Sequence, residues 1–204
     1  MKELTETEWA DFYGPNFWPN TPDILPASLQ RPDPTVYMQR LVLAATLSSN
    51  YGVYGPVYEL MVSAPRAANS EEYLDSEKYE LHQWDLRNPQ SLAPFMKKIN
   101  RLRSEHKALQ DNKTLRFHDV NNDSLIAYSK SEGDEHIVVV VNLDATTVQS
   151  GVVELPLIEW GLSQTEAYPV HDLLTDTTYY WTGWRNFVEL RPLQPAHIFK
   201  VSKI

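Results

Sequence analysis

The chain has 204 residues, 42% of them hydrophobic and 11% aromatic, and a formal net charge of −9 with a sequence pI near 5.1. There is enough apolar material for one sizeable core or two small ones, and an acidic chain without clustered Lys and Arg excludes nucleic acid as a natural partner. No run of about 18 apolar residues marks a membrane partner, and the lack of cysteine removes disulfides and thiolate metal sites, so a globular, cytoplasmic protein is expected.

In chain order, Phe17-Trp18-Pro19-Asn20-Thr21-Pro22-Asp23-Ile24-Leu25 reads as the end of a short buried strand. Its prolines restrain the backbone on both sides of Asn20 and set the acid Asp23. Asp33-Pro34 starts a helix, with an N-cap carboxylate followed by proline at the first helical position. Tyr37, Leu41, Ala44, Ala45 and Leu47 follow at helical spacing, while Val36, Val42 and Leu43 fill other faces. This predicts a helix over Asp33–Ser48 that is buried on more than one side. Tyr51-Gly52-Val53-Tyr54 reads as a single inner strand stopped by Gly55-Pro56.

Residues 61–88 lack a period and are rich in Ser, Asn, Pro and acids, which predicts a long functional loop. A second helix is expected from Asn88-Pro89 or Ser91 to Leu109, with Leu92, Phe95, Met96, Ile99, Leu102, His106 and Leu109 on one stripe. Beyond residue 110, short β-branched and aromatic runs alternate with turn clusters such as Asn121-Asn122-Asp123. Strands are predicted at Leu115–His118, Leu125–Lys130, His136–Asn142, Val148–Leu155, Ala167–His171, Thr177–Thr182, Phe187–Leu190 and His197–Val201. Such spacing indicates an antiparallel sandwich. Ile137–Val141 is apolar throughout, as in a central strand covered on both faces. The expected fold is therefore α+β in two domains: residues 1–109 as the last two strand–helix units of a (β/α)8 barrel, and residues 110–204 as an all-β antiparallel sandwich.

Several strings are similar to one family. Glu3-Leu4-Thr5, Pro15-Asn16-Phe17, Asn20-Thr21-Pro22-Asp23-Ile24-Leu25, Gly52-Val53-Tyr54 and Glu71-Glu72-Tyr73-Leu74-Asp75-Ser76-Glu77-Lys78-Tyr79 resemble the C-terminal part of the α-1,4-glucan:maltose-1-phosphate maltosyltransferases. These belong to the α-amylase superfamily. The likeness continues through Val140-Val141-Asn142-Leu143-Asp144, Asp172-Leu173-Leu174-Thr175 and Ala196-His197-Ile198-Phe199, so it covers essentially the whole chain. It implies α-glucan and maltose 1-phosphate as partners of the parent enzyme and retaining transfer by an aspartate nucleophile, a glutamate acid/base and a third, stabilising aspartate. Retention requires two carboxyl groups about 5–5.5 Å apart across the anomeric carbon.

By this resemblance Asp23 is the third acid, a transition-state stabiliser after barrel strand seven. Pro22-Asp23 stands where most amylases carry His-Asp, which points to the transferase branch. The resemblance also implies substrate-binding roles for Asn20, Thr21, Glu72, Tyr73, Lys78 and Tyr79 at the barrel mouth. The nucleophile and acid/base would lie on barrel strands four and five, outside these residues. Glu59, Glu71, Glu72, Asp75 and Glu77 have no partner motif to replace them. The 204 residues are thus expected to be inactive alone.

A non-catalytic carbohydrate-binding or assembly module is the alternative. It would use Trp181 and Trp184, beside Gly183, as a sugar-stacking platform, although large aromatics ordinarily fill cores. The histidines show no metal-ligand spacing and no glycine-rich phosphate loop occurs, so neither metal nor cofactor is expected. Apolar surface on the barrel units predicts a homodimer.

Overall fold

The computed structural model describes residues 1–203. A short helix α1 (Lys2–Glu6) and a 3-10 turn lead into β1 (Asn16–Phe17). Asp33 then accepts a hydrogen bond from the Thr35 N–H at 2.9 Å and caps α2 (Pro34–Leu47), with Pro34 in its first turn as expected. The chain returns in β2 (Asn50–Tyr51), which pairs parallel to β1 through Asn16–Asn50 and Phe17–Tyr51. This is a minimal strand–helix–strand unit.

Three readings of the first half need correction. The strands there are two residues long and exposed or half-buried, so neither Phe17 nor Tyr51 lies in a buried inner strand. Gly55-Pro56 does not merely stop an extended run; it opens α3 (Gly55–Glu59). Proline fits a first helical turn because its missing N–H has no intrahelical partner there. The second long helix, α4, spans Ala93–Glu105 and so begins later than Asn88 or Ser91. Asn88 and Ser91 instead close turns, accepting from Gln90 N–H at 2.9 Å and Ala93 N–H at 3.1 Å.

All of the predicted strands after residue 110 form, with small shifts of boundary. They are β3 (Arg116–His118), β4 (Leu125–Glu132), β5 (Glu135–Asn142), β6 (Gln149–Glu154), β7 (Ala167–Asp172), β8 (Thr177–Thr182), β9 (Arg185–Leu190) and β10 (Ala196–Val201). Six make an antiparallel sheet in the order β3-β4-β5-β10-β7-β8, and β6 pairs with β9 as a separate ribbon. The β5 register places Val139 opposite Tyr128 and Ile198.

Both faces of this sheet are covered. Tyr128, Ile137, Val139, Val141 and Ile198 pack against Tyr37, Leu41 and Ala45 of α2 and Ile99 and Leu102 of α4. On the other side Ala127, Val138, Val140 and Phe199 meet Val153, Val188 and Leu190 of the ribbon. That explains the unbroken apolar run in β5, as each fully buried branched side chain contributes about 1.5–3 kcal/mol. Polar bonds tie the helical layer to the sheet: Gln39 Nε2 donates to the Asn142 carbonyl at 2.5 Å, and the Thr46 and Tyr128 hydroxyls lie 2.6 Å apart.

Two ionic features lie within this framework. Asp172 is buried and accepts from Thr175 Oγ1 at 2.7 Å and Leu174 N–H at 3.1 Å, with His197 Nδ1 at 2.9 Å. Burial alone would raise its pKa, but His197 and the other donors outweigh it and hold the carboxyl below its usual range. At the helix–sheet junction, Arg103 donates to the Ala45 carbonyl, to Ser48 O at 3.1 Å and to Ser49 O at 2.6 Å, closing the end of α2. Nearby Lys130 is buried, with Nζ donating to Asn112 Oδ1 at 3.2 Å.

Burial, reinforced by the Arg103 charge, pushes the Lys130 ammonium down to about 7. The unfolded chain keeps that proton to higher pH, so the penalty is full below pH 7 and fades as pH rises toward the ordinary lysine value. Lys130→Met is expected to raise unfolding stability at pH 6, by on the order of 4 kcal/mol before any packing loss. Its advantage over the wild type should shrink steadily from pH 7 to pH 10 in urea melts.

Candidate functional site

The site begins with a turn. Thr21 Oγ1 accepts the N–H groups of Asp23 (3.3 Å) and Ile24 (3.0 Å), and the Thr21 and Ile24 backbones bond each other at 3.1 and 3.3 Å. This fixes the Asp23 carboxylate at the turn's tip. Leu25 N–H then donates to the Glu71 carbonyl at 2.5 Å, drawing the turn against the long 61–88 loop.

That loop has little regular structure, yet it is pinned at several points. Asn20 is buried, accepting from Tyr54 N–H at 3.0 Å and donating to Tyr73 Oη at 2.9 Å. Tyr54 Oη donates to Glu77, and Trp84 Nε1 donates to the other oxygen of the same carboxylate at 2.9 Å. His82 stacks on Trp84 with ring centres 4.7 Å apart. The donors from Tyr54 and then Trp84 lower the Glu77 pKa, while burial and the neighbouring carboxylate raise that of Tyr54 far above the phenolic norm. Asp75 takes a left-handed backbone (φ 52°), a conformation that aspartate tolerates in tight turns.

The turn and loop enclose a cavity of about 270 Å³, whose walls include Asp23, Arg66, Glu72, Tyr73, Lys78 and Tyr79. Lys78 Nζ forms an ion pair with Asp23, their side chains being 41% and 60% exposed. The hydrogen bond to Asp23 raises the Lys78 pKa, keeping it protonated at neutral pH. Arg66 pairs with Glu72 at 2.9 Å.

The expected residues thus fall into two sets. Asp23, Glu72, Lys78 and Tyr79 present polar groups to the cavity, together with one wall of Tyr73. Asn20 and Thr21 lie behind it, with side chains engaged by the protein. Arg66, Tyr54, Glu77 and Trp84 were not among the expected site residues, and no motif or spacing marks their convergence. Trp181 and Trp184 line different depressions. The chain turns at Gly183 (φ 74°), and Trp184 lies beside Leu155, Pro156 and Ile158, away from Trp181. Among the described residues no three His, Asp or Glu side chains converge as metal ligands.

The family described as "GLGE, C-terminal" matches residues 117–201. The chain is also 48% identical over 201 residues to the α-1,4-glucan:maltose-1-phosphate maltosyltransferase of Salinibacter ruber, and 45% identical over 207 residues to that of Methylacidiphilum infernorum. The chain corresponds to the C-terminal portion of this maltosyltransferase family. The alignments cover 98% and 100% of this chain but only 30% and 31% of those relatives.

Among solved structures, the α-amylase from Geobacillus thermoleovorans superposes on 98% of this chain and 42% of its own, with a TM-score of 0.69 and 15% identity. A γ-cyclodextrin glucanotransferase from an alkalophilic Bacillus clarkii covers 98% of this chain and 28% of its own, with a TM-score of 0.64 and 14% identity. At such identities these likenesses concern the fold alone. They give the maltosyltransferase portion an α-amylase-type architecture, and its predominant antiparallel strands agree with a β-sandwich. No helix among the described residues is long and apolar enough to cross a membrane.

Glu77 is the pin that holds Tyr54 and Trp84 together across the loop. Glu77→Ala is expected to speed amide hydrogen exchange across residues 73–84 about tenfold or more. The global unfolding midpoint should move little, because solvent-exposed polar links contribute only about 0–1 kcal/mol.

Proposed function

We propose that this chain is the C-terminal part of a retaining α-glucan maltosyltransferase that moves maltosyl units from maltose 1-phosphate to the non-reducing end of an α-1,4-glucan. In this reading residues 1–109 are the closing units of a (β/α)8 barrel and residues 110–204 its sandwich. The parallel β1–α2–β2 unit supports the barrel assignment. The observation that carries the functional reading is the meeting of two distant strings, residues 20–25 and 71–80, around one cavity with Asp23 against Lys78.

The chemistry follows from charge. An oxocarbenium-like sugar carries developing positive charge, and a fixed carboxylate opposite it lowers the barrier. Asp23 takes that role. Lys78, held protonated, donates to sugar hydroxyls once substrate separates it from Asp23. Tyr79 and Tyr73 supply ring faces and hydroxyls, and Glu72, oriented by Arg66, accepts a hydrogen bond from a sugar hydroxyl. Asn20 and Thr21 serve by fixing the turn. The nucleophile and acid/base come from the remainder of the barrel, and the enzyme works in the cytoplasm.

Phosphate release from maltose 1-phosphate tests the assignment. The chain alone should release none above background. Activity should appear when it is mixed with the Salinibacter ruber relative lacking its matching segment, and Asp23→Asn should lower that restored rate by about 10²–10³-fold, as for other lost transition-state charge contacts. Turnover by the chain unaided, or full activity of Asp23→Asn, would refute the reading.

A further inference from the structure

β8 and β9 are consecutive in sequence, joined through Gly183 and Trp184, yet they belong to different sheets. β8 pairs with β7 and β9 with β6. Two strands that leave one turn for separate layers must diverge. The cleft between them has a volume of about 380 Å³ and is walled by Tyr179, Trp181, Phe187, Glu189, Arg191 and Gln194. That size lies within the range of about 300–1,000 Å³ usual for small-molecule clefts.

Its floor is rigid. Phe199 is buried and takes the ring of Tyr179 at 6.0 Å and 89°, and that of Trp181 at 5.0 Å and 69°, while stacking on His197 at 4.6 Å. His197 in turn is held between Asp172 and the Glu189 carbonyl, at 2.9 and 3.2 Å. The aromatic walls are therefore preorganised. Phe187 stands 62% exposed between the buried Asn186 and Val188, an apolar ring held outward on the solvent side of its strand.

The rim is of the opposite character. Arg191 Nε and Nη2 both donate to Glu189 Oε1, at 3.2 and 3.0 Å, and Gln194 adds an amide. A wholly apolar partner would desolvate that ion pair at a cost. An anionic one would meet Glu189 and a chain of net charge −9. A pyranose satisfies both walls, because its C–H faces pack on aromatic rings and its hydroxyls bond planar carboxylate, guanidinium and amide groups.

We infer that the β8–β9 cleft is a second sugar site that takes an α-1,4-glucan segment, separate from the Asp23 cavity. The choice of α-1,4-glucan over other neutral sugar chains rests on the proposed transferase reading. The cleft then gives the acceptor a hold at a distance from the reacting carbon.

Calorimetric titration of the 204-residue chain with maltoheptaose tests this. Phe187→Ala and Gln194→Ala should each weaken the cleft's binding, Phe187→Ala by about tenfold. Tyr180→Ala, altering a ring 73% exposed on the opposite face of β8, should leave it unchanged. Tyr79→Ala, which alters the Asp23 cavity, should also retain it. Wild-type affinity in both Phe187→Ala and Gln194→Ala, or no binding by the wild type, would overturn the inference. Weakening by Tyr79→Ala alone would overturn it while leaving the Asp23 reading intact. Binding sensitive to Phe187 but no restored phosphate release would do the reverse.

Discussion

The double-sided burial of the six-stranded sheet is the constraint on which the other features depend. Within β5 the run Ile137–Val141 can be apolar at every position only because α2 and α4 cover one face and the β6–β9 ribbon the other. An uncovered face would leave a row of valines in water, so neither layer is dispensable. The helical half and the sandwich therefore share one core boundary along the sheet. Polar bonds from Gln39 and Thr46 reinforce it without leaving a buried side-chain donor or acceptor unsatisfied among the described residues.

The cavity hangs from this framework by a few local contacts. Its loop contributes little to the core beyond Met61, Tyr73 and the half-buried Val62 and Trp84, and it is organised by Asn20, Tyr54 and Glu77. The scaffold supplies position and the loop supplies adaptable polar groups. Asp23 and Lys78 pair across a partly exposed gap, so the pair forms without the desolvation cost that full burial would impose.

Much of the sandwich was legible in the sequence. Clusters such as Glu132-Gly133-Asp134 bound β-branched runs, and the turn residues adopt the conformations their chemistry favours, as Gly133 does at φ 58°. α2 was readable because Asp33-Pro34 is both a cap and a start. α3 was not, since Gly-Pro serves equally to end one element and to open another. β1 and β2 are too short for any alternation to show. In the site, Asp23 and Lys78 stood out only through the family strings around them. The hydrogen-bonded group of Tyr54, Glu77 and Trp84 joins residues with no common period, and such convergence is set by tertiary contact alone. Trp181 and Trp184, three apart, seemed a natural pair until the turn at Gly183 sent them to different depressions.

The Arg103 guanidinium has a further consequence. It closes the carbonyl end of α2 from α4 while lying over the Tyr51 ring at 4.8 Å. Fraying of α2 would strand that cation near the Lys130 ammonium, and withdrawal of α4 would bare the last turn of its neighbour. The two helices and β2 should consequently melt as a single cooperative block, so that no partly unwound intermediate with one helix intact would be populated along the way.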